Sequence, residues 1–454
     1  DYQAPTRHLT EMVDAILIHK VWGLAIFGLV MAALFVTIFF IADPMMGAME
    51  SGVAALGDFI TPLLPEGPIQ DLWTDGIVAG VGAVIVFVPQ IALLFLFLAV
   101  LEDSGYLARA AFLMDRLLAK VGLHGKSFIP LLSSFACAIP GIMAARTIEN
   151  RKDRLATIFV APFMSCSARL PVYFLLIGTF FATFSPAARG GIMFSLYALG
   201  VIAAAATAFI FKRTLLKGRP QAFILEMPTY KVPQLSQVAR QVWTSTKAFV
   251  VKAGTIIFCL SVILWAMTYY PRLPEERVQQ ITAEAKRPLE VASGRDLVVV
   301  NEGAARELTD EAIASEQLRH SLAGRFGHLI EPVIRPLGYD WKMGVGLVGA
   351  FAAREVFVST MAITYNAGSE DETEPLASAM LSDKYPDGRP VWTPLVAVSL
   401  LVWFVLAMQC MSTLAIVKRE TASWRWPVLM LVYMNGVAYV VCLAIYQIGR
   451  VWFA

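Results

Sequence analysis

The fold is decided by PFMSCSARLPVY, residues 162–173, where polar and sulfur-bearing side chains interrupt an apolar run. A polar group in hydrocarbon costs free energy unless a partner satisfies it. A membrane segment with this stretch therefore needs a compensating feature, such as a binding site or a kink stabilised by its surroundings. The side chains that raise this question are Met164, Ser165, Cys166, Ser167 and Arg169.

The composition of the whole chain excludes an ordinary soluble protein. Of 454 residues, 57% are hydrophobic and 16% are charged, whereas soluble domains are about 45–50% apolar and about 25% charged. Apolar runs of about 20 residues, such as 21–42 and 190–211, predict membrane-spanning helices. The five cysteines lie mostly in apolar segments, which argues against a disulfide framework. We expect an all-α, polytopic membrane protein without a signal peptide.

An internal repeat organises the chain. Residues 114–147 align without gaps with residues near 330–364, and MSCSARL (164–170) resembles MQCMSTL (408–414). The alternative is chance similarity among helices rich in small residues, but the matches include lysine, cysteine and methionine. The paired positions are Gly122 with Gly338, Lys126 with Lys342, Phe135 with Phe351, Met164 with Met408, Cys166 with Cys410 and Leu170 with Leu414.

Each repeat contains a predicted broken or re-entrant helix. Proline and glycine interrupt the apolar run 127–145, and an Arg–Glu pair interrupts the run 344–365. Lysine and arginine, which are enriched in cytoplasmic loops, flank the first broken helix, whereas acidic residues follow the second. We therefore expect two inverted repeats, the architecture of secondary transporters, whose substrate site lies at the midplane where the repeats meet.

These signals give a map of the chain, with the two repeats as its main parts. Its segments are a juxtamembrane helix (1–20), a first span with an external loop (21–77), the first repeat (78–211), a cytoplasmic linker (212–248), a connecting span (249–270), a polar, external segment (271–325), the second repeat (326–448) and a tail (449–454).

Sulfur donors are the most informative candidates for a binding site. Thiolates and thioethers are soft ligands that suit transition metals rather than Mg²⁺ or Ca²⁺. Cys166 and Cys410 share a repeat position beside polar neighbours and methionine, which favours a functional role over packing. Cys137, in the proline-broken helix, is balanced between the two roles, and Cys259 and Cys442 are interpreted as packing residues. The candidate ligands are Cys166, Cys410, Cys137, Met164, Met408 and the hydroxyls of Ser165 and Ser167.

Ionisable and amide side chains within apolar segments form a second group of candidates, because such residues in membranes are commonly functional. Each also has a structural interpretation: an ion pair, a stabilised kink, a solvated helix end or helix packing. We assign them as candidates for gating or ion pairing: Arg169, Arg354, Glu355, Gln90, Glu102 and Asp103.

Several enzyme classes lack their signatures in this chain. GLHGKS (122–127) resembles a P-loop, but Lys120 occupies the position of the first required glycine. All five histidines lie outside the predicted membrane cores, where a haem protein would place its axial ligands. HExxH and GxSxG are missing as well. We expect neither a catalytic site nor a nucleotide site.

The segments 87–173, 349–365 and 408–420 resemble the membrane region of the FeoB family of bacterial ferrous iron transporters. The resemblance implies two gate-type repeats, with Cys137, Cys166 and Cys410 on the path of the ion. It also implies a location in the bacterial cytoplasmic (inner) membrane and Fe²⁺ as the transported ion.

The resemblance also implies an upstream GTP-binding domain in the same polypeptide, and any GTPase activity is expected there rather than in residues 1–454. The further partners implied are small accessory Feo proteins, membrane lipid and a second copy of the chain, but no nucleic acid. Ligand softness alone leaves other divalent metals open. A nucleoside-like solute, or a membrane-bound metalloenzyme or redox protein, is the remaining alternative.

Overall fold

The computed structural model describes residues 7–19, 21–65, 67–217, 230–274, 276–280, 282, 313, 316–352, 354, 356–365, 373–385 and 388–453. Within these ranges the regular structure is helical, apart from one isolated antiparallel bridge between Lys384 and Pro390. The predicted all-α fold is therefore confirmed. Glu355 and residues 283–312 of the predicted polar segment lie outside the described residues.

The helices range from four residues in α3 to 39 residues in α2. The first eleven are α1 Arg7–Leu17, α2 Trp22–Ile60, α3 Pro68–Asp71, α4 Ala79–Ile85, α5 Val88–Asp103, α6 Tyr106–Lys120, α7 Phe128–Ala136, α8 Ala138–Ala144, α9 Arg151–Val160, α10 Leu170–Phe180 and α11 Pro186–Arg213. They are followed by α12 Leu235–Phe249, α13 Thr255–Tyr269, α14 Leu322–Ile334, α15 Trp341–Ala352, α16 Val356–Tyr365, α17 Thr373–Ser382, α18 Pro394–Leu406, α19 Met411–Thr421 and α20 Arg425–Phe453.

Four helical stretches in the described part of the chain are long and apolar enough to cross a membrane. A fifth is added if α5 and α6, which are bent by 87° at their junction, count as one span. Gly105 at this bend has a φ of 81°, a left-handed conformation that glycine adopts without strain. The four stretches are Arg151–Phe180, Pro186–Arg213, Pro394–Thr421 and Arg425–Trp452.

The chain divides into two units, and it changes unit inside both cysteine-bearing stretches, after Ser167 and after Met411. The segment boundaries drawn from the sequence remain predictions. Unit 1 consists of Asp1–Ser167, Tyr197–Cys259 and Ser412–Leu431, and unit 2 consists of Ala168–Leu196, Leu260–Met411 and Val432–Ala454.

The first broken helix, α7–α8, turns sharply at Cys137, whose φ of −154° and ψ of 133° are extended. Pro140 accounts for the break, because in a continuous helix its ring would clash with the carbonyl of residue 136. In the first turn of α8 the same proline is tolerated. Gly141 lets the two halves approach closely: a Cβ there would lie 2.6 Å from the Pro130 carbonyl oxygen and 1.9 Å from Ser134 Oγ.

The turn that precedes the broken helix has the same local geometry in both repeats. Gly122 and Gly338 are both left-handed, with φ of 80° and 84°. The residues two positions later, His124 and Asp340, each accept a hydrogen bond from a backbone N–H at the start of the next helical turn. In addition α7 ends at Ala136 and α15 ends at its repeat partner Ala352. These repeat-related positions therefore share the same local backbone features.

A partly buried ion pair fixes helix α1 in unit 1. Arg109 is 1% exposed; its Nε donates to Asp14 Oδ1 at 3.0 Å, and its guanidinium lies 3.9 Å from the ring centre of Tyr230. The Tyr230 hydroxyl donates to the same carboxylate at 2.7 Å. Burial raises the pKa of Asp14, but the two hydrogen bonds and the charge of Arg109 outweigh it and lower that pKa overall.

The close approach of α7 and α8 predicts the effect of substituting Gly141. Gly141→Ala should lower the free energy of unfolding by about 1–3 kcal/mol, because the backbone carbonyl of Pro130 cannot yield cheaply. The measurement is thermal unfolding of the detergent-purified protein. Gly191→Ala, in α11 with open space around the glycine, is the matched control and should leave Tm unchanged or raised. Equal melting of both variants would contradict this packing.

Candidate functional site

The first cysteine segment, residues 161–169, interrupts the membrane stretch between α9 and α10. Pro162 ends α9 because it lacks the N–H that a continued helix requires. Two short 3₁₀ turns, Ala161–Phe163 and Ser167–Arg169, flank Met164, Ser165 and Cys166, which are not helical. Irregular backbone at membrane depth is tolerated only where it faces protein or a water-lined cavity.

The candidate ligands of this segment differ in their burial. Ser165 and Arg169 are buried, whereas Cys166 and Ser167 are half-buried. Met164 is buried and contributes to the wall of an apolar cavity in unit 1. The half-buried thiol of Cys166, which is not in a disulfide, is thus the more accessible sulfur of this segment.

The second cysteine segment, residues 407–410, interrupts the membrane stretch between α18 and α19. The helix ends at Leu406, where the Ala407 N–H donates to the Trp403 carbonyl at 2.8 Å. Met408 is buried and Cys410 is half-buried, as are their repeat partners Met164 and Cys166. In both segments, therefore, the methionine is buried and the cysteine two positions later is half-buried.

Arg354 accounts for the break in the second segment, which contains no proline. Its side chain is 5% exposed, and the guanidinium donates to three backbone carbonyls of this region. A cation at a helix C-terminus is favourable, because the last carbonyls lack helical partners and carry partial negative charge. The acceptors are the oxygens of Gln409 at 3.1 Å, Ala407 at 3.4 Å and Phe404 at 3.5 Å.

Gln409 is a residue that the sequence reasoning missed. Its side chain is 3% exposed, and Oε1 has no hydrogen-bond partner among the described residues. A buried amide oxygen without a partner is costly. The available signal was position: Gln409 lies between the matched methionine and cysteine and is the repeat partner of Ser165.

Cys137 lies between α7 and α8 and is half-buried, and its backbone N–H donates to the Ser133 carbonyl at 3.1 Å. By contrast, the thiol of Cys442 is buried and donates to the Ser399 carbonyl at 3.2 Å. Among the described residues, no group of three or more His, Cys, Asp or Glu side chains could hold a metal ion.

Two acidic candidates connect α5 to the region of α12. Glu102 accepts from Gln241 Nε2 at 3.0 Å, and Asp103 accepts from the Gln234 backbone N–H at 2.7 Å. Both carboxylates therefore stabilise helix packing in unit 1. Gln90 is buried in the first turn of α5.

A polar network lies beside the start of α15 in unit 2. Asp383 accepts from Lys342 Nζ at 2.8 Å and from the Tyr365 hydroxyl at 2.7 Å, and Trp392 Nε1 donates to that hydroxyl. Burial raises the pKa of the neighbouring Asp340 to about 6, although the Met343 N–H and Lys342 act in the opposite direction.

The chain matches the Gate family, described as "Nucleoside recognition", over residues 84–180 and 250–424. Residues 193–244 match the family described as "Ferrous iron transport protein B C terminus". No solved structure matches the chain.

Three relatives carry names that describe iron transport. The chain is 42% identical over 452 residues to the Fe(2+) transporter FeoB of Leptospira interrogans serovar Lai. The aligned region covers 99% of this chain and 61% of that protein. It is 39% identical over 456 residues to the Fe(2+) transporter FeoB of Staphylococcus aureus strain MW2, covering 98% and 60%.

The Fe(2+) transport protein A/Fe(2+) transporter FeoB fusion protein of Porphyromonas gingivalis is 38% identical over 448 residues, covering 98% and 52%. The chain therefore spans between about half and three fifths of the length of these relatives.

The contacts of Arg354 predict that this residue holds the second cysteine segment. Arg354→Met should cost about 3 kcal/mol of unfolding free energy, because three carbonyls lose a charged donor. It should also increase the rate at which a maleimide labels Cys410 in a variant whose other cysteines are serine. Arg325→Met, at an exposed arginine of the same unit, is the control. Unchanged melting and labelling of Arg354→Met would refute the positioning role.

Proposed function

The chain belongs to the Gate family, and from this premise we propose that it is the membrane part of a bacterial importer that moves Fe²⁺ inward across the cytoplasmic membrane. The observation that carries the proposal is similarity over nearly the whole chain to proteins named Fe(2+) transporters. The matched sulfur donors of the two cysteine segments give it a chemical basis.

The proposed ligands lie on breaks of membrane helices. Fe²⁺ is intermediate in softness, so thiolates and thioethers together with hydroxyl or carbonyl oxygens suit it. During passage the ion would exchange part of its hydration shell for such donors. Met164 joins the set by its repeat position, although it also lines an apolar cavity. The proposed ligands are Cys137, Cys166, Ser165, Ser167 and Met164 in unit 1 and Met408 and Cys410 in unit 2.

The backbone supports this proposal because the broken segments are held by specific contacts. Arg354 acts as a positioning residue: its hydrogen bonds hold the carbonyls of the second cysteine segment and thereby the orientation of Met408 and Cys410. In the first cysteine segment, Pro162 and the two short 3₁₀ turns take the corresponding part. Movement of the short helices α7–α8 and α15–α16 would open and close the path.

The remaining activities are proposed for other parts of the system. We assign GTP hydrolysis to an upstream domain of the same polypeptide and no catalysis to these residues. The fusion protein of Porphyromonas gingivalis, whose name joins a transport protein A to the transporter, supports a small accessory partner. The family description "Nucleoside recognition" makes a nucleoside the second candidate cargo.

The proposal predicts the effect of removing each accessible thiol. Cys166→Ser and Cys410→Ser should each lower Fe²⁺ uptake by about tenfold or more, as the loss of a metal-binding contact does. The measurement is uptake of radiolabelled Fe²⁺ under reducing conditions by cells without another ferrous transporter, normalised to the protein in the membrane. Cys259→Ser, at an exposed cysteine of α13, is the matched control.

Two results would count against the proposal. Wild-type uptake by both thiol variants at equal expression would remove Cys166 and Cys410 from the path. Uptake of a labelled nucleoside by the wild-type protein, without uptake of Fe²⁺, would replace the ion as cargo.

Gln409 provides a separate test, because its unpartnered oxygen costs stability and a role in transport would explain why that cost is tolerated. Gln409→Met keeps the length of the side chain and removes the buried polar atoms, so unfolding free energy should rise by about 1–3 kcal/mol. We add Gln409 Oε1 to the proposed ligands, so Fe²⁺ uptake should fall when this oxygen donor is lost. Gln237→Met, at an exposed position of α12, should change neither. A Gln409→Met protein that transports normally would show that the oxygen plays no part in transport.

A further inference from the structure

Unit 1 contains an apolar cavity of about 260 Å³, which shares one residue, Met164, with the proposed ion path. Helices α2, α6, α7, α9 and α11 contribute to its wall, as does the first cysteine segment. Every lining side chain is apolar, among them Phe27, Phe128, Phe135, Met164 and Ala205. Water is a poor occupant of such a space, because it would lack hydrogen-bond partners.

The wall of the cavity reaches the outer face of α11, a membrane-spanning helix. Val201 lines the cavity and is 45% exposed. Phe194, two turns earlier on the same face, is also large, apolar and exposed. In a membrane this face contacts hydrocarbon, so the medium next to the cavity supplies acyl chains.

The opposite part of the wall lies at a basic end of the unit. Val121 and Leu123 line the cavity directly after the last turn of α6, where Arg116 and Lys120 are exposed. The stem of Lys212 lies against Gly122, 3.1 Å from the position of an added Cβ, while its ammonium pairs with Asp153. By the charge rule for loops, this basic end is cytoplasmic.

We propose that the cavity binds one acyl chain of an anionic phospholipid of the cytoplasmic leaflet, with the lipid phosphate near Lys120. The apolar wall is a suitable surface for the lipid acyl chain, and the exposed cations attract the negatively charged headgroup. The bound chain packs against Met164 and so supports the first cysteine segment from one side. This lipid site is independent of the identity of the transported cargo.

The test is native mass spectrometry of the detergent-purified protein with added phosphatidylglycerol or phosphatidylcholine of equal chain length. The wild-type protein should bind one phosphatidylglycerol at least tenfold more tightly than phosphatidylcholine. Ala205→Leu fills the cavity and should abolish this binding, whereas Ala203→Leu, a neighbouring alanine of α11 outside the wall, should retain it.

The contribution of the lipid headgroup is tested by substituting exposed lysines, because these changes do not disturb the packing of the interior. Lys120→Gln should reduce the preference for phosphatidylglycerol to less than threefold, and Lys231→Gln, another exposed lysine of unit 1, should leave it intact. Binding that Ala205→Leu leaves unchanged would overturn the cavity as the site. Equal binding of the two lipids by the wild-type protein would overturn the anionic headgroup.

Discussion

The structure depends on one constraint: every backbone polar group at membrane depth needs a partner inside the protein. A continuous helix meets it without help, but this chain interrupts its helices in both repeats. Each interruption exposes N–H and carbonyl groups whose partners must come from side chains, tight turns or close helix packing. The residues at the breaks are therefore selected first by this requirement and only then by the chemistry of a cargo.

The two repeats meet the same requirement with different side chains. In the first cysteine segment, Pro162 has no backbone N–H, so there is one donor fewer to satisfy. The short 3₁₀ turns provide hydrogen bonds for the adjacent backbone. In the second segment, Arg354 of the broken helix in unit 2 donates to backbone carbonyls that have no helical partner. A buried guanidinium also brings a positive charge close to a proposed cation path.

Sequence reasoning located the breaks but not the contacts that hold them. Pro140 and the matched stretches 164–170 and 408–414 gave the positions, because proline and repeat register act over a few residues. The partners of Arg354 lie 50–55 residues away, and those of Glu102 and Asp103 lie 139 and 131 residues away. Such contacts depend on how helices pack, which a single sequence does not encode locally.

The burial pattern explains why sulfur suits these positions on the proposed function. A thiol or thioether is nearly apolar, so burying it inside a helical unit costs little when no ion is present, and Met408 is buried in this way. A carboxylate at the same place would need a permanent counter-charge. An ion in transit must also leave, and conduction requires binding that is strong enough to enter and weak enough to release. A half-buried thiol, such as that of Cys166 or that of Cys410, can replace part of a hydration shell while the rest of the shell is retained.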